Sequence, residues 1–142
     1  CDFRILEESA RIGFPEVSIG IIPGAGGTQR LPRITNIATS KYWIYSARKF
    51  TAEEALEDGV ADFIAPDGEL IETAIDLAEE IIANAPKSII ASKRAIKEGI
   101  EVSLKDGLDI ERDNYNTTLH TEDRNEALKA FSEKRKPVWK GK

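Results

Sequence analysis

Apolar positions along the chain change their spacing near its middle, and the change divides strand from helix. Phe3-Arg-Ile-Leu6 alternates apolar and polar as a short strand does; Glu7-Glu-Ser9 interrupts with a polar turn, and Ala10–Phe14 resumes as a second short strand. Val60-Ala-Asp-Phe-Ile64, apolar at 60, 61, 63 and 64 and closed by Ala65-Pro66, predicts a last strand returning to the sheet. From Leu70 the spacing is helical: Leu70, Ile71, Ala74, Ile75, Leu77, Ala78, Ile81 and Ile82 form a wide apolar stripe that is expected to pack against something large. Pro86 opens the next helix, which runs to about Glu98. Ser103 with Asp106 opens another and Thr121 a fourth, so four helices follow the last strand.

Between the strands, Thr28 to Leu31 reads as the first turn of a helix, and Ile37–Ser46 as a helix whose Tyr42, Trp43 and Tyr45 belong to the core rather than to a site. Thr51-Ala-Glu-Glu54 is a capping box for a short helix that stops at a left-handed Gly59. Connections are short throughout, with no repeat, low-complexity tract or second independent domain.

The densest chemistry lies in Phe14-Pro-Glu-Val-Ser-Ile-Gly-Ile-Ile-Pro-Gly-Ala-Gly-Gly-Thr-Gln-Arg-Leu31. Pro15 fixes its own φ and biases Phe14 toward extended geometry, so Glu16 leaves the second strand in a defined direction. Ile21 and Ile22 are expected to supply apolar walls, and Gly24, Gly26 and Gly27 allow another group to approach bare backbone N–H groups. A phosphate loop needs Gly-Lys-Ser/Thr where Gly27-Thr28-Gln29 stands, and the dinucleotide fingerprint starting at Gly24 needs a glycine at Gln29; both readings fail. From local pattern alone Glu16 reads equally as a positioned catalytic acid and as a solvated carboxylate beside a structural turn.

Net charge is −5, spread as +3 over residues 1–50, −11 over 51–80 and +3 over 81–142. That balance argues against nucleic acid as a partner. The acidic block reads as a solvated face. No apolar run approaches the ~20 residues that span a membrane, and one cysteine, Cys1, makes no internal disulfide. Cys1 and the single His120 have no companions at metal-ligand spacing, and no Gly-x-Ser-x-Gly elbow is present. A cytoplasmic protein is the default expectation. The chain contains no methionine, which suggests a piece of a longer product.

Ala10-Arg-Ile-Gly-Phe-Pro-Glu16 with Gly20-Ile-Ile-Pro-Gly-Ala-Gly-Gly-Thr-Gln-Arg-Leu31 resembles the centre of the enoyl-CoA hydratase (crotonase) family. The resemblance continues through Ala52-Glu-Glu-Ala55, Gly59, Pro86 and Lys93 to Thr121-Glu-Asp-Arg124 and Ala130-Phe-Ser-Glu-Lys-Arg-Lys-Pro137. It implies an α/β fold: the C-terminal part of a ββα spiral, with its last turns at 1–66, followed by a helical oligomerisation region at 67–142. The family's N-terminal half would be missing. It also implies a lyase that adds water to α,β-unsaturated acyl-CoA thioesters in fatty-acid or related metabolism, with coenzyme A as part of the substrate and no separate cofactor or metal.

In that mechanism two glutamates hold a water; Glu16 matches the one that delivers a proton to the α-carbon, and Gly24 the position whose N–H helps hold the water. Tyr115, Phe131 and Lys134 match positions lining the acyl or coenzyme pocket. Lys134, three residues after Phe131, is expected on the same helix face, and the basic end Lys134-Arg-Lys136 with Lys140 and Lys142 reads either as a phosphate contact or as a solubilising tail. The resemblance further implies trimers or hexamers, and an isolated chain that is inactive because the other glutamate and the oxyanion donors lie elsewhere. A double-bond isomerase working with the Glu16 position alone and a non-catalytic assembly fragment are the alternatives. Phe14 stands where many hydratases carry glutamine, which leaves the acyl-chain preference open.

Overall fold

The computed structural model describes residues 1–142, which form four short strands and seven α-helices. By its internal packing the chain divides into two compact units, Cys1–Asp76 and Leu77–Lys142. The first contains β1 (Ile5–Glu7), β2 (Arg11–Gly13), a 3-10 helix (Pro15–Ile19), α1 (Gly27–Ile34), α2 (Ile37–Ser46), β3 (Lys49–Thr51), α3 (Ala52–Glu57) and β4 (Phe63–Ala65). Helix α4 (Leu70–Ile82) crosses the division, and α5 (Pro86–Gly99), α6 (Leu104–Thr118) and α7 (Glu122–Ser132) follow.

The strands pair in two separate two-stranded sheets. β1 runs parallel to β4 with Leu6 opposite Ile64, and β2 runs antiparallel to β3 with Ile12 opposite Phe50. β4 begins three residues later than the apolar run predicts, and the backbone shows why. The N–H groups of Val60 and Ala61 both donate to the Ala55 carbonyl, at 2.7 and 2.9 Å, so these two buried residues wrap the end of α3 before the chain joins the sheet. Arg4 then sets the register: its guanidinium grips Asp62 through both carboxylate oxygens, at 2.7 and 3.0 Å, and its backbone N–H donates to the same carboxylate at 2.8 Å. The Arg4 hydrogen bond holds the Asp62 carboxyl below its ordinary pKa.

The core of the first unit is built from Leu31, Trp43, Ile44, Phe50, Ala55, Val60 and Ala61, with Leu6, Ile12, Phe14 and Val17 packed against it. Trp43 stacks on Phe50 with centroids 3.9 Å apart and planes 5° from parallel, and its indole N–H donates to Asp58 at 2.6 Å. Arg48 lies 4.0 Å from the Phe50 ring centre and pairs with Glu54, the acid of the α3 capping box. Trp43 is thus core as expected, whereas Tyr45 is 69% exposed.

In the second unit α5 and α6 pack along one another and approach backbone to backbone, an ideal Cβ on Gly107 standing 3.2 Å from the Gly99 carbonyl oxygen. Ser103 and Thr121 cap α6 and α7 by accepting from the N–H groups of Asp106 and Arg124. The basic end is not a free tail. Buried Asp123 accepts from the backbone N–H groups of Lys140 and Gly141 at 2.7 and 2.9 Å, Glu126 takes Arg135 and the Val138 N–H, and the Trp139 indole donates to the Ala83 carbonyl at 2.7 Å. Helix α7 ends at Ser132 and Lys134 adopts a left-handed φ of 55°, so Lys134 and Phe131 are not the helical pair that their spacing predicts. The stripe on α4 also departs from expectation, since none of its residues is buried within this chain. No helix is long and apolar enough to cross a membrane.

Candidate active site

Glu16 occupies the first turn of the 3-10 helix, and the sequence dictates that turn closely. Pro15 sits at the helix start, where its missing N–H costs nothing. The Ser18 hydroxyl donates to the Pro15 carbonyl at 2.7 Å, and Gly20, at a φ of 80°, ends the turn by donating to the Val17 carbonyl at 3.2 Å. Val17 packs into the core, anchoring the turn from below. The Glu16 side chain is held on this support, and its Oε2 is buried without a hydrogen-bond partner. A buried polar oxygen left unpaired costs about 1–3 kcal/mol, and more when charged, so such atoms in native folds ask for an explanation.

Downstream the loop is open. Ile21 and Ile22 are 57% and 67% exposed, so within this chain they do not form the walls expected beside Glu16. An ideal Cβ at Gly24 would meet only the Ile22 carbonyl oxygen, at 3.9 Å, which leaves space in front of this backbone. Helix α1 starts after Gly26, at a φ of 98°, with no side chain capping it, and the N–H groups of Gln29 and Arg30 both donate to the Gly26 carbonyl, at 3.1 and 2.8 Å. Arg30 folds back on the loop and donates to the Ala25 carbonyl at 3.2 Å. A carboxyl oxygen buried without a partner suits proton transfer to an organic molecule.

The remaining candidates lie in the second unit. Tyr115 is 59% exposed and lines a cavity of about 410 Å³ between α5 and α6, together with Ser88, Ser92, Asn114 and Thr118. Phe131 is 87% exposed, and Lys134 is exposed at the end of α7. Arg135 and Lys140 are engaged by Glu126 and Glu122. His120 and Cys1 are exposed. What sequence reading missed is the contact of Phe14 and Pro23 with Gly27; its only signal is the doubled glycine Gly26-Gly27 where one would suffice for a turn.

Comparison with known proteins supplies the relationship. A model of the enoyl-CoA hydratase/isomerase family matches residues 1–142. An enoyl-CoA isomerase/hydratase of Mycosarcoma maydis is 46% identical over 143 residues, covering 100% of this chain and 52% of that protein. The short-chain-enoyl-CoA hydratase of Clostridium acetobutylicum is 40% identical over 136 residues, covering 96% and 52%. The crystal structure of enoyl-CoA hydratase from Bacillus anthracis superimposes with a TM-score of 0.95 at 48% identity, covering 100% of this chain and 55% of that one.

The chain therefore spans about half the length of these relatives, and this corrects the expectation of a C-terminal half. The matches run end to end through residues 1–142 over 52–55% of their partners, and they do not carry an assignment to the C-terminal part of the spiral or to an absent N-terminal half; both are dropped. What stands is a crotonase-like α/β fold with seven helices. With the family model matched along its whole length, the chain belongs to the enoyl-CoA hydratase/isomerase family.

Proposed function

We propose that, within the full-length protein, this chain supplies the proton-donating acid of an enoyl-CoA hydratase. The observation that carries the reading is the buried, unpartnered Oε2 of Glu16 on a rigid turn. Water adds across the α,β double bond of an acyl-CoA thioester: as the water oxygen bonds to the β-carbon, its proton passes to a second carboxylate from the remainder of the protein. Glu16 gives its proton to the α-carbon, and the Gly24 N–H helps hold the water. Proton exchange then restores both carboxyl groups. General acid–base steps of this kind contribute about 10²–10⁴-fold each. Coenzyme A enters as part of the substrate, with no cofactor, and Tyr115, Phe131 and Lys134 line the acyl or coenzyme side. Self-association as a trimer or hexamer and a cytoplasmic location belong to the same reading.

Isomerisation of an acyl-CoA double bond is the second reading. It is favoured by the single carboxylate oxygen that is both buried and unpartnered, because one carboxyl group suffices to move a proton between two carbons. Full-length protein is the test for both. Glu16→Gln keeps shape and hydrogen bonding but not the proton, so turnover of crotonyl-CoA should fall about 100-fold or more with the circular dichroism spectrum unchanged. Unchanged turnover overturns the role of Glu16. Wild-type protein that leaves crotonyl-CoA untouched but converts a 3-enoyl-CoA to the 2-enoyl form selects the isomerase.

A further inference from the structure

Gly27 is not in a left-handed conformation, so it is not there for backbone freedom. Space is the reason. A Cβ at this position would stand 2.7 Å from Phe14 Cε1, 3.0 Å from Phe14 Cδ1 and 2.8 Å from Pro23 Cβ, against 3.4–4 Å for ordinary contact. Phe14 is the residue immediately before the 3-10 helix, two positions from Glu16, and packs against the core. Pro23 is buried and immediately precedes Gly24; Gly27 is the first residue of α1. One contact therefore ties together the turn that carries Glu16, the loop that carries Gly24 and the start of α1.

We propose that Phe14, Pro23 and Gly27 are positioning residues, a three-way clamp that fixes the Glu16 turn against the Gly24 loop in the geometry the reaction needs. The proposal rests on the assignment of Glu16. Neither Phe14 nor Gly27 has a group that could exchange a proton, so each acts only through where it holds others. An added methyl at Gly27 needs about 0.7 Å more room to reach ordinary contact, from 2.7 to 3.4 Å. A misplacement of about 1 Å costs on the order of 100-fold in rate.

The clamp is tested on full-length protein by a double-mutant cycle with Gly27→Ala, Phe14→Leu and their combination, with Glu16→Gln alongside and Ile12→Val as a core control. The expected result is kcat lower by about 100-fold for Gly27→Ala and about 10-fold for Phe14→Leu, with KM within about threefold. The double variant should lose less than the product of the two, because both changes relieve or break the same contact. Ile12→Val should shift the unfolding midpoint and leave kcat unchanged. If Gly27→Ala does not fold, Phe14→Leu carries the test by its kcat-to-KM split. Near-normal kcat in the clamp variants while Glu16→Gln is inactive overturns the clamp and leaves the acid in place, as do losses that multiply. Full turnover in Glu16→Gln overturns the acid, and with it the clamp.

Discussion

Glu16 and Trp43 show two ways in which this fold treats a polar atom inside it. The Trp43 indole N–H, on a side chain with no exposure, is matched by Asp58 at 2.6 Å. Glu16 Oε2 is matched by nothing. The first pays for burial with a partner; the second keeps a lone pair open, as expected where a ligand completes the set. The contrast can be measured at Trp43. Trp43→Phe retains an aromatic ring for the stack on Phe50 but leaves the Asp58 oxygen without its donor, which costs about 1–3 kcal/mol when water cannot replace it. Asp58 is half-buried, so the expected loss lies near the lower end, read as a lower denaturant midpoint at constant slope. A midpoint equal to wild type would show that solvent serves Asp58 as well as the indole does.

At the scale of elements, legibility followed local chemistry. The capping box at Thr51, the caps at Ser103 and Thr121, the proline start of α5 and the left-handed Gly59 are all present, because each is decided within four residues of sequence. β3 was not legible: Lys49-Phe50-Thr51 has a single strongly apolar position, and Thr51 both ends the strand and caps α3. The return of the basic end onto α7 and onto Ala83 was hidden too, since Lys140 reaches back 17 residues to Asp123 and Trp139 reaches back 56 to Ala83. At the site, Pro15 pointed to a defined direction for Glu16, but neither the 3-10 turn that Gly20 ends nor the contact at Gly27 was read, the latter because it depends on which way a phenylalanine ring points.

The fold-back has a pH signature. Hydrogen bonds from Arg135 first, and then from the Val138 N–H, lower the Glu126 carboxyl to about 2. An unfolded glutamate titrates near 4.3. The folded pKa is the lower one, so the stabilisation is fully present above about 4.3 and is lost as pH falls toward 2. Lower amide-exchange protection at Val138, taken relative to the intrinsic exchange rate at each pH, is expected on acidification through that window, and Glu126→Gln should make that protection insensitive to pH there. An unaltered pH response in Glu126→Gln would assign the effect to another carboxylate of α7.

For the molecule as a whole, residues 1–142 taken alone leave apolar surface in rows. Ile71, Ile75 and Ile82 on α4 are 71%, 52% and 70% exposed, and Ile96, Ile100, Leu104 and Leu108 around the α5–α6 connection are 71%, 80%, 80% and 52% exposed. Single exposed residues of this kind are ordinary, but rows at helical spacing are surfaces that associate. Each such side chain gains about 1.5–3 kcal/mol on full burial. Opposing this is the acidic block, −11 over residues 51–80, of which Glu72, Asp76, Glu79 and Glu80 lie on α4 itself. That repulsion is long-ranged only at low salt, since the screening length falls from about 30 Å at 0.01 M to about 8 Å at 0.15 M. Apolar burial is little affected by that change, so it should win as salt rises. Light scattering on residues 1–142 is therefore expected to show mass above the 15.7 kDa monomer, increasing from about 0.01 M to about 0.15 M salt. Ile71→Lys with Ile75→Lys should return it toward monomer. A wild-type chain that stays at 15.7 kDa across that salt range would show that these rows do not drive association.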